Sequence, residues 1–425
     1  MKKNNLKITY IFYLNLCILS FILGFFLNED SSGGGSLDFI HEWKSLNQFK
    51  LGIYDALTSI NYESSRTPLF LILNSYNPFT ENQFQFRLSN FIFNFVIPLA
   101  YFFCLKIKKI DTNTSLLIVC TLFLSPYFRT TSYWAHQENL PIFFFIISFH
   151  YFYFFNNCFY ENKIKYIHIF LIAFISSLAF YSDQKFIFCS LTLFLLLTLK
   201  EKKFVNKFKI FLLFFITSLP AFYLYYLWGG IVPIESQERI GFTPQNLSNG
   251  ISIICFYFIP IFLFLFLEKK IKILKLNNKK DILVLLIISV LLFITVPDFS
   301  SPWGNGVIYK IFFIIGKHYI TNIFILKFLY ILILSSLTFM TYKLLKNNLI
   351  NFFPLLIIIS VSLFVEVIYQ EYFDPLLPIL IFIFFRFPND INIFKFKNII
   401  IFTIYNGLFL VSANIYYLKY NLVTN

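Results

Sequence analysis

Charged residues are scarce in this sequence. Asp, Glu, Lys and Arg together account for 13% of its 425 residues, about half the share found in an ordinary soluble domain. Hydrophobic residues account for 58% and aromatic residues for 22%. So few charges cannot cover the surface of a soluble globule of this size. The composition excludes that class and predicts an integral membrane protein.

Metal-binding cysteine patterns are absent as well. The six cysteines form no Cys-x-x-Cys pair, share no spacing with the five histidines and lie in or beside apolar segments. The sequence therefore supports neither a zinc site nor a disulfide framework, and we expect buried structural thiols. These residues are Cys17, Cys104, Cys120, Cys158, Cys189 and Cys255.

Acidic residues are too few to balance the basic ones, and the formal net charge is +14. In a soluble protein such an excess would indicate nucleic acid as a partner. In a membrane protein the positions of the charges matter more than their sum, because Lys and Arg concentrate in cytoplasmic loops. We therefore expect membrane lipids as partners and no nucleic acid.

Apolar runs recur along the whole chain, with no soluble domain, low-complexity tail or clear repeat between them. No small-residue cleavage site follows the first run, so it is predicted to be a transmembrane helix rather than a signal peptide. The predicted fold class is an all-α polytopic membrane protein with about thirteen transmembrane helices, forming one integral membrane domain over residues 1–425. The predicted spans are 8–27, 89–105, 114–126, 139–156, 166–181, 186–199, 210–228, 250–267, 282–296, 320–341, 350–368, 375–386 and 398–417.

Lys and Arg alternate between the predicted loops in a way that sets the orientation. Most of them fall in loops on one side, including the cluster 200–209 and the run 269–280, while most acidic residues fall on the other. By the positive-inside rule the N-terminus is cytoplasmic and the first loop is extracytoplasmic. We expect the protein in the inner (plasma) membrane of a bacterium.

The first loop, residues 28–88, is long and polar and is the predicted catalytic loop. Gly33, Gly34 and Gly35 break the chain away from the first span, and a helix is predicted after them. Leu37, Ile40, Trp43, Leu46 and Phe49 recur at three-residue spacing, which favours one apolar face lying on the bilayer. Asp38, His41, Glu42 and Ser45 fall on the other face.

Carboxylates in this loop are the candidate catalytic groups. Asp38 opens the predicted helix, and a partly desolvated carboxylate there can act as a general base toward a hydroxyl. The alternative is that Asp38 only caps the helix. Glu42, one turn on beside His41, and Asp30, at the end of the first span, are the other candidates for the base.

Arg66 and Arg87 are the candidate phosphate-binding residues of the same loop. A guanidinium group offers a planar fork of donors that suits a lipid-linked phosphate or pyrophosphate. Both arginines have a simpler explanation, since they could pair with Glu63 or Glu81 or contact lipid headgroups.

Three further turns on the same side carry candidate substrate-binding residues. The first is dense in aromatic and hydrogen-bonding groups, as a sugar site requires, although its tryptophan also suits an interfacial aromatic belt. With His41, the candidates are Trp134, His136, Gln137, Glu138, Gln245, Glu371 and Tyr372.

In chain order, these segments resemble the GT-C class of polytopic glycosyltransferases. They are most similar to the eukaryotic glucosyltransferase family that adds the terminal α-1,2-glucose to the dolichol-linked oligosaccharide. Asp38 replaces the Asp-Glu pair of that family, and Glu371 stands where it has Arg. The similar segments are Asp38-Phe39-Ile40-His41, Arg66-Thr67-Pro68, Arg87 with Asn90, Gly229-Gly230-Ile231-Val232, and Glu371-Tyr372-Phe373 with Pro375 and Pro378.

The resemblance implies transfer of a hexose or pentose from a polyprenyl-phosphate donor to a lipid-linked glycan, a polysaccharide or a protein outside the cytoplasm. Direct attack with a carboxylate base implies inversion. The resemblance also allows a divalent cation, although the sequence contains no dedicated oxygen-ligand loop. The alternatives are a transporter or flippase, which would need internal repeats and ionisable residues within its spans, and a polymerase of lipid-linked glycans.

Overall fold

A computed structural model of the protein describes residues 2–158, 165–270, 276, 278–301 and 304–424, with the side chains of 10–418 among them. The described part of the chain is all-helical, with 76% of these residues in helices. Among the described residues there is no β-strand, only an isolated bridge between Ile240 and Val365. The predicted all-α class is confirmed.

Nineteen α-helices are described, joined mostly by short turns. They are α1 Lys2–Phe26, α2 Gly35–Leu51, α3 Ile53–Thr58, α4 Leu69–Ser75, α5 Gln83–Phe93, α6 Val96–Ile107, α7 Thr112–Phe123, α8 Pro126–Tyr133, α9 Asn139–Cys158, α10 Lys165–Ser182, α11 Ile187–Lys200, α12 Phe204–Trp228, α13 Gln245–Leu267, α14 Lys279–Ile294, α15 Gly306–His318, α16 Ile323–Leu345, α17 Phe352–Ser362, α18 Leu376–Ile383 and α19 Phe396–Thr424. Short 3₁₀ helices lie at Gln184–Phe186, Ile234–Arg239, Leu349–Asn351 and Gln370–Tyr372.

Seven helical segments of the described chain are long and apolar enough to cross a membrane. They are Gln83–Ile107, Asn139–Cys158, Lys165–Ser182, Phe204–Trp228, Gln245–Leu267, Ile323–Leu345 and Phe396–Leu418. The predicted count of about thirteen is not confirmed. Helices such as α11, with 14 residues, and α17, with 11, are only about 21 and 17 Å long at 1.5 Å per residue. That is short of the hydrocarbon thickness of about 30 Å.

The chain divides into two compact units. The first comprises Met1–Glu238 and Asn406–Asn425, and the second comprises Arg239–Tyr405. The polar loop 28–88 therefore belongs to the first unit, together with α1 to α12 and the later part of α19. The prediction of one membrane domain stays a prediction.

In the second unit, α13 is buried along most of its length. A buried ion pair holds α14 against α16: Lys343 Nζ lies 2.8 Å from Asp281 Oδ2, and Lys346 Nζ lies 3.3 Å from Oδ1. Loss of one member of such a pair would leave an uncompensated charge in an apolar interior.

Within the first unit, α2 packs one face against the protein, and the prediction that its apolar face lies on the bilayer stays a prediction. Phe39, Leu46 and Phe49 are buried, whereas Leu37 and Ile40 are 66% and 47% exposed. Residues three apart on a helix are rotated by about 300° around the helix axis, so each step of a strict three-residue repeat shifts the side-chain direction by roughly 60°. Five such positions cover most of the helix circumference. The alternating spacing of three and four residues marks the buried face, and this face includes Glu42.

A buried ion pair ties α1 to α8. The Arg129 guanidinium binds both carboxylate oxygens of Glu29, with Nε 2.8 Å from Oε1, and Nη2 also donates to the Ser20 carbonyl oxygen at 2.9 Å. Asn414 of α19 donates to the same carboxylate at 3.4 Å. The Glu29 carboxylate is therefore engaged by Arg129 and Asn414 in holding these helices together.

The glycine break positions the start of α2. Gly33 adopts a left-handed conformation, with φ of 82°, and a Cβ there would meet the Tyr417 ring. Gly35 packs so closely that a Cβ would lie 2.5 Å from Thr130 Cγ2 and 2.7 Å from Trp134 Cδ1. The N-terminus of α2 can approach α8 and the turn after it only because residue 35 has no side chain.

We expect Gly35→Ala to destabilise the protein by about 1–3 kcal/mol, because the added methyl group forces packed side chains apart. Gly34→Ala is the matched control, since a Cβ there would meet only Asp38 Oδ2 at 3.7 Å. Thermal unfolding of both variants in detergent measures the difference. Equal melting temperatures for the two variants would contradict the close approach at Gly35.

A buried carboxylate cluster as the candidate functional site

Glu42 is the most deeply buried acid of the polar loop, with 4% of its surface exposed. Its Oε1 accepts hydrogen bonds from Gln137 Nε2 at 3.0 Å and from Ser64 Oγ at 3.4 Å. Its Oε2 has no hydrogen-bond partner among the described residues. One carboxylate oxygen is therefore held in place and the other can accept a proton.

Arg66 lies among three carboxylates. Its guanidinium forms an ion pair with Glu138, and lies 3.7 Å from Glu42 Oε1 and 3.5 Å from Asp183 Oδ2. We call Glu42, Arg66, Glu138 and Asp183 the carboxylate cluster. Arg66 and Glu138 keep 15% and 12% of their side chains exposed, so the cluster is not completely closed to solvent.

The loop before α4 presents Arg66 through hydrogen bonds with its backbone. The Tyr62 hydroxyl donates to the Arg66 carbonyl oxygen at 2.6 Å. Gln184 Nε2 donates to the Ser65 carbonyl oxygen at 2.7 Å, and Gln184 Oε1 accepts from Thr67 N at 3.1 Å. The backbone on both sides of Arg66 is thus fixed to the segment that follows α10.

Asp183 enters the cluster as the N-cap of the short helix Gln184–Phe186. Its side chain accepts from Lys185 N at 2.9 Å and pairs with Lys185 Nζ at 3.2 Å. An Asp at a helix N-terminus satisfies a backbone donor and benefits from the helix dipole. The segment after α10 therefore brings a carboxylate, Asp183, and an ammonium group, Lys185, to the cluster together.

The turn between α8 and α9 supplies the remaining groups. Ala135 is fully buried and adopts a left-handed conformation, with φ of 50°, which costs an L-residue about 1–2 kcal/mol. The same turn places Gln137 against Glu42, Glu138 against Arg66, and His136 Nε2 2.9 Å from the Gly35 carbonyl oxygen. A strained turn maintained by packing is typical of functional sites.

Burial sets the protonation of Glu42. The pKa of Glu42 is raised to about 7: loss of water is the largest cause, the Glu138 charge adds to it, and the attraction of Arg66 opposes both. A carboxylate with such a pKa can take up or release a proton near neutral pH, as a general acid or base must.

His136 and Glu138 shift the other way, toward their charged forms. Burial alone would lower the pKa of His136, but the carboxylates of Glu138, Asp38 and Glu42 outweigh it and raise that pKa. Burial would raise the pKa of Glu138, but Arg66 and His136 outweigh it and lower that pKa. His136 Nδ1 lies 3.9 Å from Glu138 Oε2, in keeping with this attraction.

Among the described residues, no group of three or more His, Cys, Asp or Glu side chains is arranged to hold a metal ion. In the carboxylate cluster the physical reason is Arg66, whose guanidinium occupies the space between the acids. Gln137 likewise places an amide nitrogen, a donor, against Glu42 Oε1.

Five of the sequence candidates come together here, namely Glu42, Arg66, His136, Gln137 and Glu138. Asp38, the leading candidate for the base, is exposed on α2, where it is close enough to raise the pKa of His136. No side-chain cap is formed at the start of α2, so the alternative role as an N-cap is wrong.

Asp30 and His41 have other partners. Asp30 Oδ1 accepts from Gly33 N at 2.8 Å and from Ser32 Oγ at 3.3 Å, so this carboxylate shapes the glycine break. His41 pairs at the surface with Glu63.

Arg87 and Trp134 lie against each other, with the guanidinium carbon 3.9 Å from the centre of the indole ring. The remaining candidates belong to the second unit. Gln245 is the exposed first residue of α13, and Glu371 and Tyr372 lie in the short helix Gln370–Tyr372.

Sequence reasoning missed Asp183, Lys185 and Ser64. Asp183-Gln184-Lys185 closely follows the predicted span 166–181. The available signal was an Asp two residues before a Lys at the end of an apolar helix on the same side as the first loop. Ser64 carried no signal beyond its place in a polar run.

Comparison of the chain with models of protein families, with curated proteins and with solved structures finds no match.

We expect the free energy of unfolding to fall as the pH rises if Glu42 carries a raised pKa. The folded protein then holds a proton that the unfolded chain has lost, so the stabilisation is present below about pH 4.5 and is lost as the pH rises through about 7. Glu42→Gln removes this dependence. Between about pH 5 and pH 8, we expect the wild type to lose roughly 1–3 kcal/mol more of its free energy of unfolding than Glu42→Gln does.

Melting temperatures measured across this pH range check the expectation. Glu81→Gln is the control, because Glu81 is exposed and lies outside the carboxylate cluster. A Glu42→Gln curve parallel to wild type would contradict the raised pKa.

Proposed function

We propose that this protein is a membrane glycosyltransferase in which Glu42 is the general base. The observation that carries the proposal is the buried Glu42 carboxylate, which has a pKa of about 7 and one oxygen without a hydrogen-bond partner among the described residues. It lies in a chain with several long apolar helices, consistent with a membrane protein. The resemblance of the first loop to the GT-C class supplies the type of reaction.

In the proposed reaction, Glu42 Oε2 takes the proton of an acceptor hydroxyl. The hydroxyl oxygen attacks the anomeric carbon of the lipid-linked sugar, and the bond from that carbon to the phosphate oxygen breaks. The lipid phosphate leaves with the bonding electron pair, and the sugar configuration is inverted. A positioned base contributes about 10²–10⁴-fold to such a step.

The other cluster residues position Glu42 in this scheme. Gln137 and Ser64 fix Oε1, which leaves Oε2 for the acceptor. Arg66 is bound by carboxylates, so its role is to stabilise the ionised form of Glu42 rather than to hold a phosphate. Asp38, exposed on the same helix, is proposed to orient the acceptor sugar at the rim.

The proposed location is the outer face of a bacterial inner membrane, with the N-terminus in the cytoplasm. The supporting observation is the distribution of Lys and Arg among the loops. All four members of the carboxylate cluster lie outside the seven candidate spans. A transporter would hold its ionisable residues near the bilayer midplane, so glycosyl transfer is preferred to transport.

Transfer assays in membranes test the proposal. Wild type, Glu42→Gln and Asp38→Asn receive a panel of radiolabelled polyprenyl-phosphate sugars and a crude acceptor extract, and loss of label from the donor is followed. We expect Glu42→Gln to lose about 10²–10⁴-fold in rate and Asp38→Asn to lose about tenfold or less. Glu81→Gln is the matched control, and protein amounts in the membrane are equalised.

If Asp38→Asn loses all transfer activity while Glu42→Gln stays active, Asp38 rather than Glu42 is the general base. If the wild type consumes no donor while labelled lipid crosses reconstituted vesicles, the enzyme proposal is wrong and transport replaces it.

A further inference from the structure

Arg87 lies near the middle of α5, and its guanidinium group is held by several contacts. Its Nε donates to the Tyr133 carbonyl oxygen at 2.8 Å and its Nη2 donates to Asn28 Oδ1 at 2.8 Å. The guanidinium also lies over the Trp134 ring at 3.9 Å from its centre, a close cation–π contact. The group therefore has one orientation, set by three different segments of the first unit.

The charge of Arg87 has no counterion among the described residues. Among the described residues, no Asp or Glu oxygen lies within ion-pair distance of the Arg87 guanidinium, and Arg87 Nη1 donates no hydrogen bond. The nearest acid in sequence, Glu29, is engaged by Arg129. Arg87 lies close to the start of the candidate span Gln83–Ile107 and is half-buried, so its uncompensated charge suits an anionic group at the membrane surface.

Two exposed aromatic side chains contact the buried ring of Phe25, which lies beside this charge. Phe25 contacts the Arg87 guanidinium at 5.6 Å and touches the rings of Phe26 and Phe84 at 5.4 and 6.3 Å. Phe26 and Phe84 are 66% and 57% exposed. A ligand that contacts both features needs an anionic head and an apolar tail.

We propose that Arg87 and Trp134 form a binding site for the phosphate of an anionic lipid, with the lipid chain lying along Phe26 and Phe84. Nη1 donates to a phosphate oxygen, and the two existing hydrogen bonds keep the guanidinium oriented for it. The site is separate from the carboxylate cluster and does not require glycosyl transfer. Two lipids share this chemistry, an anionic phospholipid and a polyprenyl phosphate.

Native mass spectrometry of the detergent-purified protein tests the site without any turnover. Phosphatidylglycerol, polyprenyl phosphate and zwitterionic phosphatidylcholine are titrated separately, and the apparent Kd of each is measured. We expect wild type to bind at least one anionic lipid about tenfold more tightly than phosphatidylcholine, and Arg87→Ala to lose that preference. Arg239→Ala is the matched control, since Arg239 is an exposed arginine of the second unit.

Loss of polyprenyl phosphate binding alone identifies a lipid-linked substrate, and loss of both identifies a headgroup site. Both results support the proposal. A folded Arg87→Ala variant that keeps the wild-type preference overturns it, as does wild type without any preference.

Because Arg87 also holds Asn28 and Tyr133, Arg87→Ala could fail to fold. Arg87→Gln, which keeps a donor but removes the charge, then takes its place, and melting temperatures verify each variant. Failure of glycosyl transfer leaves these binding results unaffected, so the two proposals fail independently.

Discussion

The guanidinium of Arg66 is the charge on which the polar part of the first unit depends. Three carboxylates from distant parts of the sequence, Glu42, Glu138 and Asp183, approach it in a largely buried place. Each of these acids would repel the other two without the cation between them. The desolvation of such a group costs several kcal/mol per ion, so the arrangement exists only because the surrounding helices are assembled around it.

This constraint connects packing to chemistry. The apolar helices exclude water from the loop, and exclusion of water is the largest cause of the raised pKa of Glu42. Arg66 works in the opposite direction and keeps the ionised form within reach near neutral pH. A soluble loop of the same sequence would hold Glu42 as an ordinary ionised carboxylate, which is a weak base. The proposed reactivity is thus a property of the fold rather than of the residue.

Apolar runs predict helix positions well in this chain: the spans predicted at 139–156 and 166–181 correspond to α9 and α10. Prediction of helices and buried faces from the sequence failed where an apolar run is short or where the spacing of apolar residues is irregular. The helix α15 was missed because its apolar run is short and contains Lys310. The three-residue spacing in α2 did not separate Leu46, which is buried, from Leu37, which is exposed. For the site, residue type and loop position identified Glu42 and Arg66. Asp183 required knowledge of which loops meet in space, which a single sequence does not contain.

The contacts of Asn414 and Tyr417 with residues 28–35 join positions nearly the whole chain apart. On the ribosome, the segment 28–35 emerges long before residues 406–418 exist. The glycine break and the Glu29 carboxylate therefore lack their contacts with α19 until synthesis is almost finished. Maturation of the first unit is consequently a late event in biogenesis, and a nascent chain stalled before α19 would insert its earlier helices without completing the packing around this break.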